Sequence, residues 1–146
     1  VFSRAFCLRN GFHANGDQSG QGYSNFRYRP FTLEGNFAAA AGLQEMLLQS
    51  YSGTIRLFPA IPAGWREVSF RGLRAEGAFV VSATRNGGRT ELVQIVSEAG
   101  GVLRLENPFG EDGYGLAGAE PESVQAEGQD LLLKTRAGQT VTFSRK

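Results

Sequence analysis

The sequence predicts a mainly β chain: a C-terminal antiparallel β-sandwich preceded by a long loop and one helix. Three observations carry this reading. Residues 8–30 are rich in Gly, Asn, Gln, Ser and aromatics and show neither a helical nor a strand period. Residues 36–50 hold a stretch of apolar residues at helical spacing. After Ser52-Gly53 the pattern turns to period two, in short runs bounded by turn residues. The candidate strands are Thr54 to Phe58, Glu67 to Phe70, Ala78 to Thr84, Glu91 to Ser97, Val102 to Glu106, Asp130 to Lys134 and Gln139 to Phe143. Short strands at this spacing indicate an antiparallel sandwich.

A loop as long as residues 8–30 is uncommon inside a compact domain and is either functional or disordered. The helix is expected to start at Asn36, whose side-chain oxygen can accept a backbone N–H of the first turn, and to run to about Ser50. Phe37, Ala40, Ala41, Leu47, Leu48 and Tyr51 recur at helical spacings, so one face is expected to be buried. The small residues Ala38 to Gly42 would let another backbone approach closely, which implies packing against helices outside this chain. Pro59, Pro62 and Gly64 punctuate a connector that reads as a domain boundary, dividing the chain into residues 1–53 and 54–146. Trp65 in that connector is expected to wedge between helix and sandwich, with stacking on a sugar as the competing reading. Asn86-Gly87-Gly88 and Arg136-Ala137-Gly138 tolerate positive φ and fit hairpin turns.

With 146 residues and 41% hydrophobic composition, the chain can bury one domain with an appended segment. Fifteen basic residues against fourteen acidic ones leave a charge of +1 and no run of like charge, so no nucleic-acid or anionic-membrane partner is expected. No apolar run approaches the roughly 20 residues needed to span a bilayer. Cys7 is the single cysteine and His13 the single histidine, which excludes an internal disulfide, a cysteine-rich metal site and a histidine pair. Cys7 has no evident base beside it and reads as a small, unreactive residue. Gly16, Gly20 and Gly22 follow no strand and open no helix, so they are not a phosphate cradle. No metal and no cofactor is expected. The chain begins at Val1 and carries its one methionine, Met46, inside the expected helix, so it reads as a processed protein or, as the favoured expectation, a C-terminal piece of a longer one.

The residues that carry chemistry cluster around the helix start. Glu34 lies near the positive end of the helix dipole, a field that favours its ionised form and suits a base rather than an acid. From position alone, a surface or cap-assisting glutamate is the stronger reading, and only the resemblance described below reverses it. Asn36 could hold a ligand hydroxyl, although capping accounts for it. His13 is a substrate-binding candidate whose competing reading is an ordinary hydrogen-bonding loop residue. Tyr28, with Phe12, Tyr23 and Phe26, is interleaved with Asn, Gln and Asp, which offers flat apolar faces beside hydroxyl-binding groups. A polar linker has the same composition.

Four segments in this order resemble glycoside hydrolase family 95: Phe31-Thr32-Leu33-Glu34-Gly35-Asn36-Phe37, Glu45-Met46-Leu47-Leu48-Gln49-Ser50, Leu57-Phe58-Pro59-Ala60-Ile61-Pro62 and Gly72-Leu73-Arg74-Ala75. The known members of that family include α-L-fucosidases and α-L-galactosidases. The resemblance implies that residues 1–53 are the loop and last helix of a catalytic (α/α)6 barrel, and that residues 54–146 are a C-terminal β-sandwich. It also implies inverting hydrolysis of a carbohydrate substrate, with a glutamic acid as general acid and a water activated through an asparagine pair polarised by a carboxylate. Glu34 falls where the family usually has that carboxylate, as an aspartate. The acid and the asparagine pair would lie in the upstream barrel of the same polypeptide. The family's usual His-Pro-Pro-Phe stands here as Tyr28-Arg29-Pro30-Phe31.

Overall fold

The computed structural model describes residues 34–146, with side chains described from Phe37 onward. It divides into two units, Val1–Gln44 and Glu45–Lys146. The chain is mainly β, with one short helix, α1 (Glu34–Leu47), followed by antiparallel sheets in a sandwich-like arrangement. The strands are β1 (Leu48–Gln49), β2 (Arg56–Leu57), β3 (Val68–Ala75), β4 (Phe79–Asn86), β5 (Arg89–Ser97), β6 (Gly101–Glu106), β7 (Tyr114–Ala117), β8 (Val124–Glu127), β9 (Asp130–Thr135) and β10 (Gln139–Arg145). One sheet has the order β3-β4-β5-β10-β7 and a second the order β6-β9-β8, while β1 pairs only with β2.

The helix departs from expectation at both ends. It begins at Glu34, so Asn36 lies inside the first turn rather than at the cap. Asparagine costs only about 0.7 kcal/mol against alanine within a helix, and an acidic residue in the first turn is favoured by the helix dipole. It stops at Leu47 instead of about Ser50, because Leu48 and Gln49 pair with Leu57 and Arg56, and the N–H of Phe58 donates to the Leu47 carbonyl at 2.8 Å. Strand pairing wins over three more helical residues. Within this chain Phe37 is 64% exposed and Tyr51 68%, Ala40 and Ala41 are exposed, and Leu48 is fully buried; the helices expected to pack on this face lie outside the chain.

The strands follow the period-two rule closely. On β4 the residues Phe79, Val81 and Ala83 are buried, on β5 Val93, Ile95 and Ser97, and on β10 Val141 and Phe143. Register lines them up across the sheet, Ala83 beside Val93, Val93 beside Phe143, and Phe143 beside Leu116. The second sheet contributes Leu103 and Leu105 from β6 and Leu131 and Leu133 from β9 to the same core. A buried polar tie joins the sheets: the hydroxyls of Ser97 on β5 and Thr135 on β9 are 2.8 Å apart, and Thr135 also reaches the Gly101 carbonyl at 2.9 Å.

Three further differences have local causes. β3 runs on to Ala75, past the expected end at Phe70, by way of a bulge between Phe70 and Leu73. Gly72 takes φ 69° there, and its N–H donates to Ser82 Oγ at 3.1 Å instead of entering the ladder. Gly87 and Gly88, with φ of 57° and 82°, do form the expected two-residue hairpin between Asn86 and Arg89. Arg136-Ala137-Gly138 is not a hairpin: β9 sits between β6 and β8 while β10 sits between β5 and β7, so this turn carries the chain from one sheet to the other. The first expected strand shrinks to β2, because Phe58 adopts φ 55° and ends it, while Ile55 makes an isolated parallel bridge to Leu105.

Candidate functional site

The residues expected to carry chemistry fall at or before α1. Glu34 is its first residue and Asn36 follows two positions later, both in the turn whose free N–H groups make the positive end of the helix. His13 and Tyr28 lie outside the described residues.

In the sheets, carboxylates near one another are held by arginines. Arg104 reaches Asp130 and Glu127, each at 3.0 Å, and the hydrogen bond to Asp130 is the main reason its guanidinium is held more firmly protonated than usual. Thr54 Oγ1 donates to the same Asp130 carboxylate at 3.3 Å. Arg56 holds Glu106 at 3.0 Å. Arg74 grips Glu98 with both Nη atoms, at 2.7 and 3.2 Å, and the hydrogen bond it donates lowers the Glu98 carboxyl below its ordinary range. Acid–base catalysis by two carboxyls needs one kept protonated and one free to accept a proton. A carboxylate pinned by arginine does neither, so these groups are fasteners of the sheets.

Two arginines sit elsewhere, at the ends of the core-facing rows. Arg145 continues the row Val141, Phe143, and its side chain is 12% exposed. It pairs with Asp112, lies 3.4 Å from Glu91, and donates from Nε to the Thr90 carbonyl at 3.0 Å. Arg85 continues the row Phe79, Val81, Ala83. Its guanidinium lies 6.0 Å from the centroid of the Phe58 ring, which in turn meets Phe70 edge to face at 5.4 Å. Its Nε is buried and has no hydrogen-bond partner. Beside it, Glu67, Ser69, Thr84 and Asn86 border an open depression of about 330 Å³. That depression shares Glu67 and Ser69 with a larger one, about 650 Å³, bordered by Trp65 and Arg66. Trp65 is held on a turn by its N–H to the Pro62 carbonyl at 2.9 Å, is 44% exposed, and takes no part in the core. Arg85 was legible as a break in period two, since an arginine stands where a fourth apolar residue belongs.

Residues 49–144 match the glycoside hydrolase family 95, C-terminal domain. The chain belongs to this family. Alpha-L-fucosidase 2 of Arabidopsis thaliana is 43% identical over 63 residues, which is 41% of this chain and 8% of that protein. The chain therefore spans a small part of the length of the curated relative it matches. The match begins at β1 and takes in both sheets, so the family 95 character established here is that of the strands and not of α1.

Proposed function

We propose that this chain is the C-terminal part of an inverting family 95 glycoside hydrolase acting on α-L-fucosides or related glycosides, and that it is inactive alone. The family match over residues 49–144 carries the reading, and the relative named alpha-L-fucosidase 2 supports the sugar class. In this reading residues 1–53 close a helical catalytic barrel as its final loop and helix, and residues 54–146 are the sandwich that follows it. Glu34, at the positive end of α1, stays ionised and polarises the upstream asparagines that activate water. Asn36, His13 and Tyr28 contribute hydrogen bonds and an aromatic face to the sugar. Inversion needs two groups about 6.5–9.5 Å apart with water between them, and Glu34 supplies one side of that pair.

The test uses an aryl α-L-fucoside. The complete polypeptide releases the aryl group, whereas the purified 146-residue chain does not; release by the short chain defeats the proposal. In the complete polypeptide, Glu34→Gln removes the charge and keeps the shape, so turnover falls by about 100-fold with the fold intact by circular dichroism. Unchanged turnover removes Glu34 from the mechanism. A second reading is favoured by the arginine-pinned carboxylates of the sheets: residues 54–146 are a non-catalytic module, structural or carbohydrate-binding.

A further inference from the structure

The two sheets of the sandwich turn very different outer faces away from the core. On the three-stranded sheet the positions that alternate with Leu103, Leu105, Leu131 and Leu133 include Arg104, Glu106, Asp130 and Lys134. Arg104 ties Asp130 to Glu127 of β8, and Arg56 holds Glu106. Charged groups of this kind keep their hydration at the surface. On the five-stranded sheet, register sets the outward positions in rows that cross four strands. Ser82, Gln94, Thr142 and Ala117 form one row, and Thr84, Leu92, Ser144 and Gly115 the next. A third row runs through Val80, Val96 and Thr140. None of these residues is charged, although charged residues make up 20% of the chain. Leu92, on the central strand, is 43% exposed. Charge returns at the margin, where Arg74 on β3 lies beside Val80.

We infer that the outer face of the five-stranded sheet is the surface by which the sandwich docks on the catalytic part of the same polypeptide, while the charged face of the other sheet stays in water. Covering a charge without a partner is costly, whereas hydroxyl and amide groups give up less hydration and can pair with whatever meets them. The middle of a protein contact is accordingly poor in charge, with polar groups at its rim. The mixture of Ser, Thr and Gln with Leu and Val suits a contact between domains, which is more polar than a permanent subunit interface. Size decides between occupants. Four strands about 4.8 Å apart, each contributing residues like 80–84 at about 3.4 Å apiece, make a patch of roughly 320 Å². Both partners together would bury about 650 Å², within the range of about 600–1,500 Å² for domains of one chain. Separate molecules need about 1,200–2,000 Å² for a stable complex, so a second copy is not held by this patch. A tethered partner is present at an effective concentration on the order of millimolar and needs less area. An uncharged face also offers nothing to a phosphate backbone.

The inference rests on the reading above that a catalytic part precedes this chain, and its test is separate from the activity. Gln94→Cys puts a thiol on the central strand of the uncharged face, and Gln125→Cys puts one on β8 of the charged sheet; both glutamines are exposed in this chain. Alkylation by N-ethylmaleimide is followed peptide by peptide in a mass spectrometer, which separates these thiols from Cys7 and any other. In the complete polypeptide Gln94→Cys reacts about tenfold more slowly than Gln125→Cys, the factor that about 1.4 kcal/mol of closure represents. In the 146-residue chain the two react at comparable rates. Gln94→Lys, which sets a charge in the covered patch, lowers the melting temperature of the complete polypeptide and leaves that of the 146-residue chain unchanged. Comparable alkylation of the two thiols in the complete polypeptide overturns the inference, and so does Gln94→Lys that costs nothing there or costs the same in both forms. Shielding of Gln94→Cys within the 146-residue chain that fades on dilution also overturns it, marking a second copy on this face. A complete polypeptide that shields Gln94→Cys yet releases no aryl group from the fucoside keeps this inference and sinks the activity; one that hydrolyses the fucoside with both thiols equally reactive does the reverse.

Discussion

Arg85 and Arg145 are placed alike and end differently. Each follows a row of buried apolar residues on the core side of its strand, and each carries its head to the rim of the same sheet. Arg145 is met there by Asp112, Glu91 and the Thr90 carbonyl. Arg85 is met by the face of Phe58 and leaves a buried N–H unanswered. Charge at the end of a row is therefore not one device. Where acceptors converge it fastens β10 to its neighbours, and where they do not it is left against an aromatic ring with a buried donor unpaired.

The comparison can be broken or sharpened by substitution. The largest effect is expected at Phe143, fully buried in the row that Arg145 terminates: Phe143→Ala should cost about 3–5 kcal/mol by denaturant titration. A cost below about 1 kcal/mol would mean that the row is not the structural support of Arg145. Gly118→Ala comes next, because Gly118 has φ 83° and a Cβ there would lie 2.0 Å from the Thr140 carbonyl oxygen on β10. A destabilisation on the order of 3 kcal/mol is expected, and the strand carrying Arg145 should lose amide protection first. Arg145→Met should cost about 2 kcal/mol, since its acidic partners are partly solvated and recover some hydration. Arg85→Met should by contrast leave stability within about 1 kcal/mol of the parent or raise it, because it removes an unpaired polar atom and keeps the stem. If the two arginines cost the same, the distinction between them fails.

The smallest effect belongs to Arg74 and Glu98, both exposed. Because Arg74 lowers the Glu98 carboxyl in the folded state, the pair supports folding above the ordinary glutamate range and loses that support as pH falls through the lowered value. Glu98→Gln should therefore lower the neutral plateau of the melting temperature slightly and leave the acid end unchanged, so that the limb between them is a little flatter. A steeper acid limb would reverse the sign and remove the pair from the account.

How much of this was legible depended on where each residue finds its partner. Strands β4, β5, β6, β9 and β10 were readable because alternation on one strand already states which side faces the core. β7 and β8 were not, since Tyr114–Ala117 and Val124–Glu127 are short and only partly buried, and their strand character comes from the edges of β10 and β9. The end of α1 was misplaced because Leu48 and Gln49 suit a helix locally and are taken by β2 only through distant pairing. Family membership was legible from four short segments in order, two of which lie within the matched residues. The orphaned state of Arg85 could not be read from sequence. A period-two break shows that an arginine points inward, and only the positions of the surrounding acceptors show that none reaches it.

The bulge in β3 interrupts a free edge of the sheet. β3 is the outer strand of the five-stranded sheet, and an outer strand with a regular row of free N–H and C=O groups invites a foreign strand to add on. Between Phe70 and Leu73 that row is interrupted, and the Gly72 N–H is already spent on Ser82. A strand from another molecule would meet a broken template midway along its length. The sheet can thus remain unextended in a crowded setting.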